Sequence, residues 1–272
     1  MQSSRTDLRV AVAGLGAIGM RVVEALDRGI DGLVLAAVSA QHPDKHKLRL
    51  DKLRRPPVFL PIGALAEVAD IVIECAPSNV VRSIVAPFVA SGKVAIVLSA
   101  GALLENEDLI VLAKQNGGQI VVPTGALIGL DAVTAAAVGK IYSVRMITRK
   151  PIRGLAGAPY ILENNIDIEA IREAQKIFDG TAREAAKGFP ANVNVAVALS
   201  LAGIGPDLTR IEIWADPALT RNTHRIEVES DSATFSMSIE NVPSENPKTG
   251  LITALSVIAC LRKLRAPVRV GT

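Results

Sequence analysis

The stretch Ala11–Met20, AVAGLGAIGM, constrains the fold of this chain more than any other part of the sequence. It contains glycines at positions 14, 16 and 19, in the pattern G-x-G-x-x-G. A β-prone apolar run, Leu8–Ala13, comes directly before the glycines, and Ile18 to Leu26 carries apolar residues at helical spacing. The pattern therefore predicts a strand, a glycine turn and a helix in immediate succession.

Each of the three glycines has its own physical use if this turn holds a dinucleotide. Gly14 makes the tight turn, Gly16 lets the backbone approach a pyrophosphate, and Gly19 allows the helix to pack closely on the strand. The first N–H groups of the helix then face the phosphate charge. The glycine pattern is weak by itself, but its position between a strand and a helix makes it specific. The sequence thus predicts that NAD or NADP binds here, with Ala17 and Ile18 among the contacts.

The rest of the first half alternates between strands and helices. Strands are predicted at residues 33–38, 71–75, 94–98 and 120–122, and helices at 64–68, 80–90 and 103–114. Apolar strands separated by helices indicate a parallel sheet with right-handed crossovers. Because 49% of the residues are hydrophobic and only 3% are aromatic, aliphatic side chains must fill the core. The first half is therefore expected to be an α/β domain with a Rossmann-type, doubly wound parallel sheet.

The pattern changes after Pro123. Strands predicted at residues 141–148, 211–215, 224–228 and 234–239 lie among helices predicted at 168–178, 194–201 and 251–264. This irregular grouping indicates a second, α+β domain with a mixed or antiparallel sheet. We expect a dinucleotide-binding domain at residues 1–122, the α+β domain at 123–245, and a C-terminal helix within 246–272 that packs back on the first domain.

The end of the second predicted strand bears on the choice between NAD and NADP. An NAD-specific unit usually carries Asp or Glu at this point, to hold the ribose 2′-hydroxyl. Here the sequence VSAQHPDK places Ser39 there, which leaves room for a 2′-phosphate. Lys45, Lys47 and Arg49 follow in a polar segment, predicted as a loop over residues 41–57, and are either partners for that phosphate or solvated charges. NAD, NADP and use of both all stay open.

His224 is the candidate catalytic group. In THRIEVES, an alternation of period two puts His224, Ile226 and Val228 on one face and the charged residues on the other. The charged face must be wet, so the imidazole points inward. An inward imidazole beside a cofactor cleft can transfer a proton near neutral pH. A core histidine that is satisfied by a backbone carbonyl is the alternative interpretation.

Two asparagines open the apolar helix that follows Pro190. Asn192 suits an N-cap, where its side chain accepts a hydrogen bond from a free N–H at the helix end. Capping does not need a second asparagine. Asn194 is therefore the better candidate for a polar contact in the cleft.

Charge and cysteine content argue against several classes of protein. Lys and Arg number 30 against 27 Asp and Glu, a net charge of +3 that is too balanced to suggest nucleic-acid binding. Cys75 and Cys260 lie far apart, so neither a zinc cluster nor a disulfide framework is expected and a reducing compartment is favoured. The N-terminal segment MQSSRTDLRV has no apolar stretch of signal-peptide length, and no uninterrupted apolar run reaches the roughly 18 to 20 residues of a spanning helix. The sequence predicts a cytoplasmic protein with no nucleic-acid, membrane or metal partner.

Several segments together resemble the L-aspartate dehydrogenase family. They are GLGAIG, PTGALIGLDA, TRKP, GTAREAAKGFPANVNVA, THRIEV and ENPKTG, in this order along nearly the whole chain. Many families share the glycine motif, whereas FPANVNVA, the single-histidine strand and ENPKTG are more particular. The resemblance implies an NAD- or NADP-dependent oxidative deamination of L-aspartate to oxaloacetate and ammonia through iminoaspartate. In some organisms that reaction feeds NAD biosynthesis.

The resemblance also implies roles for particular residues. His224 matches the catalytic histidine of the family, and Ala126 and one of Asn192 and Asn194 match its cofactor-contacting positions. Ser39 departs from the acidic residue that many relatives carry, which puts an NAD preference in doubt. The second domain is expected to supply substrate contacts and the interface of a homodimer.

An aspartate site needs cations, because a buried carboxylate without a partner is costly. Lys150, Arg221 and Lys248 are candidates, and each is equally consistent with a surface charge. Two other functions are consistent with the same sequence features. One is a homoserine or dihydrodipicolinate type of reductase, which shares a Rossmann domain with a mixed α/β partner. The other is a protein that senses NAD(P) without turnover.

Overall fold

A computed structural model of the chain describes residues 7–190, 193–243 and 250–272. The contacts divide the chain into a first unit, residues 1–123 with 254–269, and a second unit, residues 124–253 with 270–272. The chain thus leaves the first unit once and returns to it near its end. Among the described residues, no helix combines the length and the apolar character needed to cross a membrane.

The first unit is built around one parallel sheet. Its strands are β1 (Leu8–Ala13), β2 (Leu33–Ser39), β3 (Val58–Phe59), β4 (Ile71–Glu74), β5 (Val94–Val97) and β6 (Gln119–Val121). Its helices are α1 (Ala17–Arg28), α2 (Asp44–Leu50), α3 (Leu65–Val68), α4 (Val81–Ala90) and α5 (Asp108–Asn116). The six strands are all parallel, in the order β3-β2-β1-β4-β5-β6. Because the order reverses between β1 and β4, ligands are expected outside the carboxyl ends of these two strands.

Both faces of this sheet are covered. Val10 and Val12 of β1 pack on one side, and Ala11 and Ala13 pack on the other, all with no exposed surface. The last helix, α10 (Leu251–Arg265), contributes buried Val257, Ile258 and Leu261 to the same core cluster as Val10 and Val12. Strands that are buried on both sides are apolar throughout, which explains why they show no alternation in the sequence.

The second unit contains a mixed five-stranded sheet. Its strands are β7 (Ile141–Lys150), β8 (Gln175–Thr181), β9 (Arg210–Ala215), β10 (Thr223–Ser230) and β11 (Thr234–Glu240). Its helices are α6 (Leu130–Ala136), α7 (Pro159–Glu163), α8 (Ala182–Gly188) and α9 (Asn194–Ala202). The strand order is β11-β10-β7-β9-β8, in which only the pair β7–β9 is parallel. Val144 and Met146 of β7 and Ile226 and Val228 of β10 pack in one core cluster with α8 and α9.

The helix predicted at residues 168–178 is wrong. The structure has one turn of 3₁₀ helix at Ile168–Ala170 and then β8, which pairs with β9 in antiparallel register. Alanine and glutamate favour a helix here, but the pairing and the burial of Phe178 outweigh that weak local preference. A capping box between Thr181 and Glu184 starts α8 instead.

The polar segment at residues 41–57, predicted as a loop, contains a short helix. This helix, α2, buries Leu50. Its Arg49 pairs with Glu24 of α1 at 2.7 Å. Packing on α1 therefore gives order to a stretch whose composition alone indicates a loop.

Candidate functional site

The glycine turn between β1 and α1 forms the candidate cofactor site of the first unit. Gly14 has a φ of +97°, and a Cβ added to it would overlap the carbonyl oxygen of Cys75. A Cβ added to Gly19 would overlap the carbonyl oxygen of Gly14. At Gly16, by contrast, nothing lies within 4 Å of an added Cβ. Gly14 and Gly19 therefore serve the tight turn and the close packing, whereas Gly16 leaves the backbone open to close approach by a pyrophosphate.

The start of α1 is suited to an anion. Gly16 is the N-cap and makes no side-chain capping bond, and the first turn holds no acidic residue. Gly16 and Ala17 are exposed and Ile18 is half-buried. The first N–H groups of a helix lack partners within the helix and lie at the positive end of its dipole. These residues consequently fit the pyrophosphate of NAD or NADP.

A buried carboxylate fixes the loops beside this turn. Glu74 ends β4 with no exposed surface and accepts hydrogen bonds from the backbone N–H groups of Ala76, Leu98 and Ser99 at 2.9 to 3.1 Å. The Ser99 hydroxyl donates to it as well, at 3.1 Å. Burial raises the pKa of Glu74 more than these hydrogen bonds lower it. Glu74 thus holds together the loops that follow β4 and β5, a role that sequence analysis missed although an acidic residue at the end of an apolar strand was a visible signal.

Ser39 ends β2 next to the glycine turn. Its carbonyl oxygen accepts a hydrogen bond from the Gly14 N–H at 2.8 Å, and the residue is 6% exposed. Of the three cations that follow, Arg49 is paired with Glu24, while Lys45 and Lys47 lie exposed on α2. The strand end therefore carries a small hydroxyl where an acidic side chain would repel a 2′-phosphate.

The candidate catalytic site lies in the second unit, where β10 and β7 place His224 opposite Thr148. Both residues are buried, with 3% and 2% of their surface exposed. The Thr148 hydroxyl lies 3.0 Å from Nδ1 of the imidazole. With Nδ1 engaged in this way, Nε2 is the ring nitrogen that can exchange a proton with a reactant. No sequence pattern identified Thr148, because the contact depends on the register between two strands.

Lys150 lies two residues beyond Thr148, on the same face of β7. It is 3% exposed, and burial lowers its pKa to about 8. Burial, together with the nearby positive charge of Lys150, lowers the pKa of His224 from 6.5 to about 3. The imidazole is therefore neutral near pH 7, rather than poised to titrate there as the free side chain would be.

Asn241 is a further polar residue on this face that sequence analysis missed. It follows β11, and its backbone N–H donates to the carbonyl of Asn222 at 2.9 Å. Residues paired across antiparallel strands point to the same face, and Asn222 precedes His224 by two residues. Asn241 is 4% exposed, and its Nδ2 donates to the carbonyl oxygen of Ala126 at 3.0 Å. Ala126, a predicted cofactor contact, is thereby tied to the strand next to that of His224.

Two of the remaining predicted site residues are exposed in the second unit. Asn194 is the exposed first residue of α9, and Arg221 is exposed just before β10. Asn192 and Lys248 fall outside the described residues. The second unit therefore brings together His224 and Lys150 among the predicted residues, and adds Thr148 and Asn241 to them.

Two family models match the chain. The model described as homoserine dehydrogenase, NAD binding domain, matches residues 14–123. The model described as aspartate dehydrogenase, C-terminal, matches residues 131–264. The first match covers the glycine turn, and the second covers the strand that carries His224.

Solved structures with low sequence identity share the fold. Aspartate dehydrogenase from Thermotoga maritima matches with a TM-score of 0.72 at 23% identity, covering 97% of this chain and 99% of that one. A homoserine dehydrogenase from Thiobacillus denitrificans matches with a TM-score of 0.63 at 12% identity, covering 95% of this chain and 73% of that one. The Rossmann-type sheet with a second mixed sheet is thus a known architecture.

Curated relatives match the sequence over its whole length. L-aspartate dehydrogenase from Bradyrhizobium diazoefficiens is 66% identical over 271 residues, which is 100% of this chain and 96% of the relative. L-aspartate dehydrogenase 3 from Bordetella bronchiseptica is 57% identical, covering 99% of this chain and 100% of the relative. The chain belongs to the L-aspartate dehydrogenase family.

Proposed function

We propose that this protein is an NAD- or NADP-dependent L-aspartate dehydrogenase, which converts L-aspartate to oxaloacetate and ammonia through iminoaspartate. The observation that carries the proposal is the buried cluster of His224, Thr148 and Lys150 on one face of the second sheet. A neutral imidazole beside a buried ammonium group suits a reaction in which a dicarboxylate substrate needs a cation and a water molecule needs a base. Whole-length relatives named L-aspartate dehydrogenase support the same assignment.

Lys150 is the proposed partner of one substrate carboxylate. At pH 7 a lysine whose pKa is about 8 is mostly protonated. A buried ammonium binds a carboxylate strongly, because water does not screen the pair and the hydrogen bond is charge-assisted. Lys150 thereby orients the substrate relative to the imidazole.

His224 is the proposed base. The bound nicotinamide ring supplies the hydride acceptor for the substrate Cα, so that loss of this hydride and of a proton from the amine leaves iminoaspartate. His224 then takes a proton from the water that attacks the imine carbon, and returns it to the nitrogen that departs as ammonia.

Substrate binding is expected to make His224 a stronger base. The positive charge of Lys150 is one of the two causes that lower the imidazole pKa. A carboxylate bound to Lys150 offsets that charge and brings a negative charge near the ring, which favours the protonated form. The pKa of His224 therefore rises toward neutrality when the substrate arrives.

We also propose a cytoplasmic location, a homodimer formed through the second unit, and NAD biosynthesis or aspartate catabolism as the pathway served. L-aspartate and the dinucleotides are cytoplasmic metabolites, and both cysteines are free thiols, as a reducing compartment favours. Ser39 supports use of NADP alongside NAD, because no carboxylate stands at the end of β2 to repel a 2′-phosphate.

A second candidate is a homoserine type of dehydrogenase, since residues 14–123 match the NAD-binding model of that family. A steady-state assay distinguishes the two, with L-aspartate, L-homoserine and other amino acids tested against both NAD and NADP. We expect reduction of the nicotinamide with L-aspartate and with no other substrate at a comparable kcat/KM. Tight dinucleotide binding without turnover of any amino dicarboxylate would instead indicate a sensor.

A further inference from the structure

The side-chain oxygen of Asn241, near Ala126, has no hydrogen-bond partner in the part of the chain that the structure describes. This atom, Oδ1, is buried. Buried polar atoms are nearly always paired, because an unpaired one forfeits its hydration without compensation. An unpaired acceptor in a native protein therefore calls for a partner that arrives from outside.

The orientation of this amide is fixed by its neighbours. Nδ2 donates to the Ala126 carbonyl at 3.0 Å, and a carbonyl can only accept, so the nitrogen must occupy this side and the oxygen the other. Gly250 packs on the amide from a further side, since a Cβ added there would lie 3.0 Å from Oδ1. The acceptor is thus held in place before any ligand binds.

The position of Asn241 points to the reactants as its partner. Asn241 lies on the same sheet face as His224, next to Asn222, which is two residues before His224. Lys150, two residues beyond Thr148, lies on this face as well. Lys150 supplies a cation for a carboxylate, and His224 a base for water. The lysine ammonium has no acceptor, and the imidazole uses its one acceptor nitrogen as the base, so Asn241 Oδ1 is a further acceptor for the N–H groups that L-aspartate and nicotinamide both carry.

We propose that Asn241 is a ligand-binding residue whose Oδ1 accepts a hydrogen bond from an N–H group of the bound reactants. This inference rests on the proposed function. The N–H group belongs either to the amino group of L-aspartate or to the carboxamide of the nicotinamide. In both cases Asn241 favours a ligand with an N–H group that faces Oδ1. Its Nδ2 holds Ala126 in place through the hydrogen bond to the Ala126 carbonyl oxygen.

The test is Asn241→Leu, which keeps the size of the side chain and removes its polar atoms. Ligand-free Tm should change by only a few degrees, because the loss of the Ala126 hydrogen bond is offset by removal of an unpaired acceptor. Loss of one hydrogen bond to a ligand should weaken binding by about tenfold. Asn241→Ala is the second variant, for use if leucine does not fold.

Chemical analogues separate the two sources of the N–H group. If the substrate amine is the donor, the KM for L-aspartate rises by about tenfold while inhibition by succinate, which has the carboxylates but no amino group, is unchanged. If the carboxamide is the donor, the Kd for NAD(P)H rises while that for the nicotinic acid analogue, which lacks the N–H, does not. The control is Asn164→Leu, which removes the same type of amide-to-carbonyl contact, Nδ2 to the Tyr160 oxygen, at an exposed position.

The proposal is overturned if a folded Asn241 variant binds every ligand as the wild type does, or if it weakens ligands with and without the N–H group equally. Failure of the proposed function would look different. The wild-type protein would then not turn over L-aspartate, whereas the dinucleotide arm of the experiment could still be read.

Discussion

The Thr148 hydroxyl lies 3.0 Å from Nδ1 of His224, and both side chains are buried. The contact ties one ring nitrogen to β7 and thereby fixes the plane of the imidazole. A histidine held in this way presents Nε2 in a defined direction, which a proton transfer at hydrogen-bond distance requires.

We predict that Thr148→Val, which keeps the shape but removes the hydroxyl, lowers kcat by about fivefold, since it removes one hydrogen bond of about 1 kcal/mol. The KM for L-aspartate and the Kd for NAD(P)H should change little. Thr148→Ser should restore most of the activity and the wild-type pH profile of kcat. A serine variant as slow as the valine variant would show that the hydroxyl does not position the ring.

Lys150 and Arg149 are adjacent cations on opposite faces of β7. We predict that Lys150→Met raises the KM for L-aspartate by about 10²-fold, because it leaves a bound carboxylate without its buried partner. Arg149, which lies 5.1 Å from the Trp214 ring and 3.8 Å from Asp216, provides the control. Arg149→Met should leave this KM within a few-fold of the wild type. Equal effects of the two variants would argue for a general loss of positive charge.

Gly16 and Gly19 should respond differently to the addition of a methyl group. We predict that Gly16→Ala leaves the Tm unchanged, because the Cβ enters open space, but raises the Kd for NAD(P)H by about tenfold or more. Gly19→Ala should lower the Tm, since its Cβ would overlap the Gly14 carbonyl oxygen. Gly63→Ala, also at an open position, should change neither quantity. Fluorescence titration and thermal melts measure both effects.

Ser39 is expected to permit NADP. We predict that Ser39→Asp lowers kcat/KM with NADP by at least about tenfold, since its carboxylate would face the 2′-phosphate, while kcat/KM with NAD is kept or improved. Ser39→Ala is the control for loss of the hydroxyl, and thermal melts check that the buried position tolerates the charge. Equal losses with both cofactors would place this residue away from the ribose.

Protonation of His224 should also be visible in stability. Its pKa is 6.5 when free and about 3 in the fold, so the unfolded chain binds more protons between these two values. The favourable contribution of the neutral ring is thus complete above pH 6.5 and is lost as the pH falls toward about 3. The slope is at most about 1.4 kcal/mol per pH unit, the value for one proton.

Urea unfolding across this pH window provides the measurement. His224→Gln should remove this part of the pH dependence of the unfolding free energy. His42→Gln, which removes an exposed histidine, should keep it. Parallel profiles for the wild type and His224→Gln would mean that the imidazole is not buried in its neutral form.

Local patterns in the sequence were sufficient for the features that depend on neighbours along the chain. The glycine turn, the alternation of strands and helices in the first unit, and the inward face of His224 all follow from spacing within a few residues. The observed bounds of β1, α1 and β10 agree with those patterns. Gly14, Gly16 and Gly19 differ in their surroundings as the motif requires.

Contacts between distant segments decided the rest. Residues 175–178, the end of the predicted helix, belong to a strand because β9 pairs with them. Thr148 lies beside His224 because of strand register, and the same register puts Lys150 and Asn241 on the face that His224 occupies. Register joins segments that are distant in the chain and leaves no periodic trace in the sequence. The sequence therefore identified His224 and Lys150 as candidates, whereas the tertiary structure determined their burial and the effect of their charges on each other, because desolvation and Coulomb interactions depend on distance in space.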